Sequence, residues 1–162
     1  MTVKSKPVVT LATPSDTELE IVSVLDAPAR LVYQATTRPE HVRRWWGLRS
    51  MTMTVCEIDL RPGGAWRYVV RDPKTGREDA FSGVYREIVP AERLVYTEGW
   101  EAMPGHDYVV TATFEEKDGK TTLRSRLQYR CREDRDGHLQ SGMEPGMRET
   151  YDRLGEHLAS MA

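Results

Sequence analysis

The chain has 162 residues, enough for one domain with a sizeable core. Its 23 Lys and Arg stand against 25 Asp and Glu, so it lacks the basic field that phosphate binding needs, which argues against a nucleic-acid partner. Hydrophobic residues make up 39% and no apolar run approaches the ~20 residues that span a bilayer. The start Met1-Thr2-Val3-Lys4 is unlike a signal peptide, and a soluble, cytoplasmic protein without a membrane span is the expectation.

Residues 1–16 carry two prolines and little periodicity and read as a flexible N-terminal arm, leaving 17–162 as a single domain. From Thr17 to Leu25, Leu19, Ile21, Ser23 and Leu25 alternate with Glu18 and Glu20, the period of a strand with one buried face. Asp26 offers an N-cap ahead of Pro28, and Leu31, Val32 and Ala35 follow at helical spacing. A box at Thr37-Arg38-Pro39-Glu40 predicts a second short helix, stopped at Trp45-Trp46-Gly47.

Six strands then follow, over Met53–Leu60, Ala65–Asp72, Glu78–Ile88, Arg93–Trp100, Asp107–Glu116 and Thr121–Arg130. Turn chemistry such as Pro62-Gly63-Gly64 and Asp118-Gly119 separates them, and connections this short predict an antiparallel meander. The expected inward faces are Tyr108, Val110, Ala112 and Phe114; Leu123, Ser125, Leu127 and Tyr129; and Trp66, Tyr68 and Val70. Arg130 to Asp136 reads as a charged, solvated loop. The chain closes on a long amphipathic helix with Met143, Met147, Tyr151, Leu154, Leu158 and Met161 on one stripe. A capping box at Ser141 and Glu144 starts it, with Pro145 in the first turn. Together these give an α+β fold: a curved antiparallel sheet of seven strands around the C-terminal helix, with two short helices after the first strand.

The segments Asp26-Ala27-Pro28, Pro39-Glu40, Arg44-Trp45-Trp46-Gly47, Asp59-Leu60-Arg61-Pro62-Gly63-Gly64, Gly83-Val84-Tyr85, Glu87-Ile88-Val89-Pro90, Glu92-Arg93-Leu94-Val95 and Tyr151-Asp152-Arg153-Leu154 occur in an order that resembles the SRPBCC (START-like) superfamily. More narrowly, they resemble bacterial proteins homologous to the C-terminal domain of the activator of the heat-shock chaperone ATPase. The resemblance runs from about Glu18 to Ala159 and implies a helix-grip fold with a hydrophobic cavity between sheet and helix. It implies no single activity, because the superfamily includes carriers, receptors, cyclases and chaperone activators.

Chemical motifs are sparse. Gly63-Gly64 opens a strand rather than a helix, which argues against a phosphate loop. His41, His106, His138 and His157 fall on separate elements without ligand spacing, so no metal and no cofactor are expected. Glu57 and Asp59 share a strand face with Arg61 and read as a solvent-facing pair. Cys56 alternates inward as a small hydrophobe, and with Cys131 it is expected to be a reduced thiol. The aromatics carry the functional expectation: Trp46, Trp66, Tyr68, Phe81, Trp100, Tyr108 and Tyr151, with Met143 and Met147, would line a pocket for a small hydrophobic or aromatic ligand, lipid or polyketide-like. Non-catalytic binding leads. A cyclase or lyase using Tyr68, Tyr108 and Ser125 is the enzymatic alternative, and a chaperone-activating interaction the third. A homodimer and a chaperone partner stay open.

Overall fold

A computed structural model describes residues 6–161. Eight strands and four helices follow in the order β1 (Val8–Ser15), β2 (Glu18–Leu25), α1 (Ala29–Thr37), α2 (Pro39–Trp45), β3 (Thr52–Ile58), β4 (Ala65–Arg71), β5 (Glu78–Val89), β6 (Arg93–Trp100), β7 (Tyr108–Lys117), β8 (Lys120–Gln128), α3 (Arg132–Gln140) and α4 (Met143–Met161). The strands form one antiparallel sheet in the order β1-β2-β8-β7-β6-β5-β4-β3. β3 to β8 make the expected meander, and β2 returns beside β8 with Leu19 opposite Leu127 and Ile21 opposite Ser125. Among the described residues no helix is long and apolar enough to cross a membrane.

The sheet has eight strands rather than seven, because Val8–Ser15, expected in a flexible arm, pairs with β2. Residues 1–5 of that arm, like Ala162 at the other terminus, lie outside the described residues. Pro14 falls where the β1–β2 register shifts between Ala12 and Ser15, a place where an edge strand tolerates a missing donor. A similar irregularity marks the opposite edge strand, between Met53 and Val55 of β3. Arg148 of α4 donates to the Val9 carbonyl at 2.9 Å, and Pro7 packs so closely on Gly155 that a Cβ there would approach it to 2.7 Å.

The inward faces agree with the alternation in the sequence. Leu19, Ser23, Leu25, Leu123, Leu127, Val110 and Phe114 are buried, and α4 sets Leu154 and Leu158 against the α1 and sheet residues Val32, Leu25 and Phe114. The helix ends are satisfied differently from the capping signals. Glu116 of β7 accepts the Ala29 N–H at 2.8 Å, so a side chain from the sheet serves the start of α1. Thr37 donates back to the Tyr33 carbonyl at 2.7 Å and closes α1, while α2 starts from Arg38. Ser141 does the same to His138 at 2.6 Å, and Glu144 pairs with Arg148 instead of reaching back. In each case the hydroxyl ends the preceding helix, an outcome open to Ser and Thr because they bond carbonyls three or four residues back.

The segment expected as a charged loop is the helix α3. It buries no residue fully, so apolar periodicity could not reveal it; Glu133 and Asp134 in its first turn and His138 in its last suit the helix dipole, and Arg132 pairs with Asp136.

Candidate functional site: a cavity between sheet and helix α4

A cavity of about 440 Å³ opens between the sheet and α4. One wall is aromatic. β4 directs Trp66 and Tyr68 into it and β5 adds Phe81, while Trp46, just past α2, packs edge-on against Tyr68 and Phe81 at 5.1 and 5.2 Å. The Trp66 indole donates to the Thr97 carbonyl of β6 at 3.1 Å, bridging β4 to β6 across Gly83 of β5. The opposite wall comes from Tyr108 and Val110 of β7, Ser125 and Leu127 of β8, and Met143, Met147 and Tyr151 of α4.

Arg153 ties α4 to the turn after α2. Its guanidinium donates to the Gly47 carbonyl at 2.8 Å and to the Arg44 carbonyl at 3.1 Å, placing a cation at the C-terminal end of α2. Gly47 has φ +91°, a left-handed conformation that glycine adopts freely.

The polar groups of the cavity centre on Glu98. Its carboxylate accepts the Tyr108 hydroxyl at 2.5 Å, and it is in no ion pair among the described residues. Loss of water contact pushes the Glu98 pKa up, the Tyr108 bond opposing in part. Burial likewise raises Tyr68, Tyr96 and Tyr108 well above the usual phenol range, and Tyr151 to about 12, with Ser125 opposing the last shift. His138 of α3 shares a short hydrogen bond with the Tyr129 hydroxyl and lines the cavity, and burial lowers its pKa, favouring the neutral ring. The described lining residues include Asp79 and Glu98 but no Lys or Arg.

Eight of the nine residues expected to bind ligand line this cavity. Trp100 does not; it is the last residue of β6, is 37% exposed and donates to Asp79 at 3.2 Å. Sequence reasoning missed Tyr96, Glu98 and His138. A signal for the first two existed, since Leu94, Tyr96 and Glu98 share one face of a strand by simple alternation. His138 was hidden with its helix.

His41 and His157, on different elements, meet with Nδ1 and Nε2 2.9 Å apart. The described residues contain no set of three or more His, Cys, Asp or Glu able to hold a metal ion. Cys56 is buried, and desolvation raises its thiol to about 11, which favours the unreactive protonated form. Arg61 holds Asp59 at 2.9 Å on the surface, whereas Glu57 lies opposite Arg67 in the β3–β4 register.

Residues 26–159 match the family described as activator of Hsp90 ATPase homolog 1-like protein, AHSA1. The chain belongs to the AHSA1 family. This agrees with the SRPBCC resemblance and its helix-grip architecture. Among solved structures, a Rhodobacter sphaeroides protein is 28% identical with a TM-score of 0.88, the alignment covering 94% of this chain and 98% of that one. A Mycobacterium smegmatis protein shares the fold at 24% identity and a TM-score of 0.81, over 91% and 95% of the two chains. DynU16, from the dynemicin biosynthetic locus, shares it at 22% identity and a TM-score of 0.67, over 91% of this chain and 49% of that one. A search of the curated proteins finds no match.

Proposed function

We propose that the protein binds one small, largely apolar or aromatic molecule in the cavity between the sheet and α4, without covalent chemistry. The supporting observation is the space itself: about 440 Å³, within the range of small-molecule sites, lined by aromatic rings and two methionines around a few polar tips. Rings give affinity through apolar area, hydroxyls give orientation, and Met143 and Met147 adapt to irregular shapes.

The test pairs dye titration with denaturant melts. An environment-sensitive apolar dye is expected to bind wild type at one site with micromolar affinity, roughly 8 kcal/mol. In Met147→Trp the larger ring fills the space, so binding is lost while stability is kept. A wild type that binds no dye, or a variant destabilised by about 1 to 3 kcal/mol through overpacking, contradicts the reading.

A second reading has one observation in its favour. The Glu98–Tyr108 and His138–Tyr129 hydrogen bonds place proton donors and acceptors beside the cavity, as a cyclase or lyase acting on a bound substrate requires. Turnover with loss of activity in Tyr108→Phe would favour it.

A further inference from the structure

Granting the binding reading, the cavity's charge pattern narrows what it holds. Two carboxyl groups line it, and among the described lining residues no Lys or Arg answers them. Asp79 is already engaged, by Arg77 at 3.5 Å and by the Trp100 indole. Among the described residues, the hydrogen-bond partner of Glu98 is the Tyr108 hydroxyl, a neutral donor. A desolvated carboxylate with one neutral partner is an incomplete arrangement, stabilised strongly by a cation that brings charge and further donors. The surroundings suit such a guest, since aromatic faces attract cations electrostatically and Tyr96, Tyr108 and Trp66 all line this space. An anionic guest would meet two carboxyl groups and, among the described lining residues, no Lys or Arg.

We propose that the cavity selects an organic cation, an amine carried on an apolar or aromatic body, whose ammonium sits against Glu98 and the tyrosine rings around it. Binding sets the ammonium against the ionised Glu98 carboxylate, so any proton that burial holds on Glu98 leaves to solvent as the complex forms. The groups interacting with or close to Glu98 come from several elements: Tyr68 of β4, Tyr96 of its own strand, Tyr108 of β7, Tyr129 after β8, Tyr151 of α4 and, through Tyr129, His138 of α3. The tyrosines stay neutral across the physiological range because burial raises them all, and His138 stays neutral until acid pH. Amine affinity should therefore rise as pH rises through the elevated Glu98 pKa and fall in acid, where Glu98 is protonated and His138 becomes charged.

The test uses one body with three head groups: 1-naphthylmethylamine, 1-naphthylmethanol and 1-naphthoate, titrated by calorimetry into the full chain near neutral pH. The amine is expected to bind about 10-fold or more tightly than the alcohol, and the carboxylate more weakly than either. Glu98→Gln should remove the amine's advantage over the alcohol and its pH dependence. The wild-type series needs no variant and so stands even if Glu98→Gln folds poorly. Alcohol binding as tight as amine binding, or carboxylate binding tighter, overturns the cation proposal while leaving the cavity as a binding site. Failure of all three probes overturns both readings.

Discussion

Replacing Gly83 by Ala tests how the aromatic wall is held. The backbone at Gly83 is not left-handed, so strain is not the issue; space is. A Cβ built there would stand 1.7 Å from the Thr97 carbonyl oxygen and 2.6 Å from the Trp66 indole nitrogen. The hydrogen bond between those two atoms thus occupies the volume a side chain would need. The variant must push β6 away from β5, expel the indole, or both. Losing the indole bond costs about 1 kcal/mol, and overpacking in a well-filled core adds about 1 to 3 kcal/mol, a total near 2 to 4. For a chain of this length that is a melting shift on the order of 5 to 15 °C. Thermal melts of Gly83→Ala, Trp66→Phe and the double variant provide a cycle, and a coupling of about 1 kcal/mol between the two sites is expected because they share one hydrogen bond. A Gly83→Ala protein that melts within a degree of wild type would refute the close approach and the bridging indole with it.

Leu154 is fully buried where α4 meets α1 and the sheet, so Leu154→Ala should cost roughly 2 to 5 kcal/mol by chemical denaturation, and an unshifted midpoint would move it to the surface. Glu98 supplies a pH prediction whose sign follows from its raised pKa. The folded state prefers the protonated form, so its contribution is fully present below the ordinary value near 4.5 and is lost as pH rises through the elevated one. Glu98→Gln does not titrate, so its stability relative to wild type should grow from acid toward neutral pH, and a difference flat across that range would contradict the desolvation.

The sheet was legible because two independent signals coincide in it. Between β4 and β8 the side-chain period of two and the turn residues agree, and Gly76 and Gly119 indeed adopt positive φ at the turns. Trp66, Tyr68 and Tyr108 followed from that alternation, and Met143, Met147 and Tyr151 from the α4 stripe. β1 was lost because Pro7 and Pro14 read as breakers, whereas in the fold one precedes the strand and the other falls at its irregularity. The cap residues misled for a different reason: a hydroxyl between two helices can serve either, and tertiary partners such as Glu116, 87 residues away from Ala29, are invisible to local sequence. Glu98 shows the limit of reading residues by type, for a carboxyl in a strand is assigned to solvent until the register on both sides of it is followed.

β1 has a consequence for self-association. An outermost strand leaves half of its amides and carbonyls free to recruit another strand, and the two outermost strands here are both interrupted, β1 near Pro14 and β3 between Met53 and Val55. β2, one position in, pairs with β8 in unbroken register over all eight of its residues and carries Leu19, Ile21, Val22, Val24 and Leu25. Trimming the first 16 residues as a dispensable tail would leave that straight, apolar ladder as the new margin, offering a template on which copies of the chain could stack edge to edge.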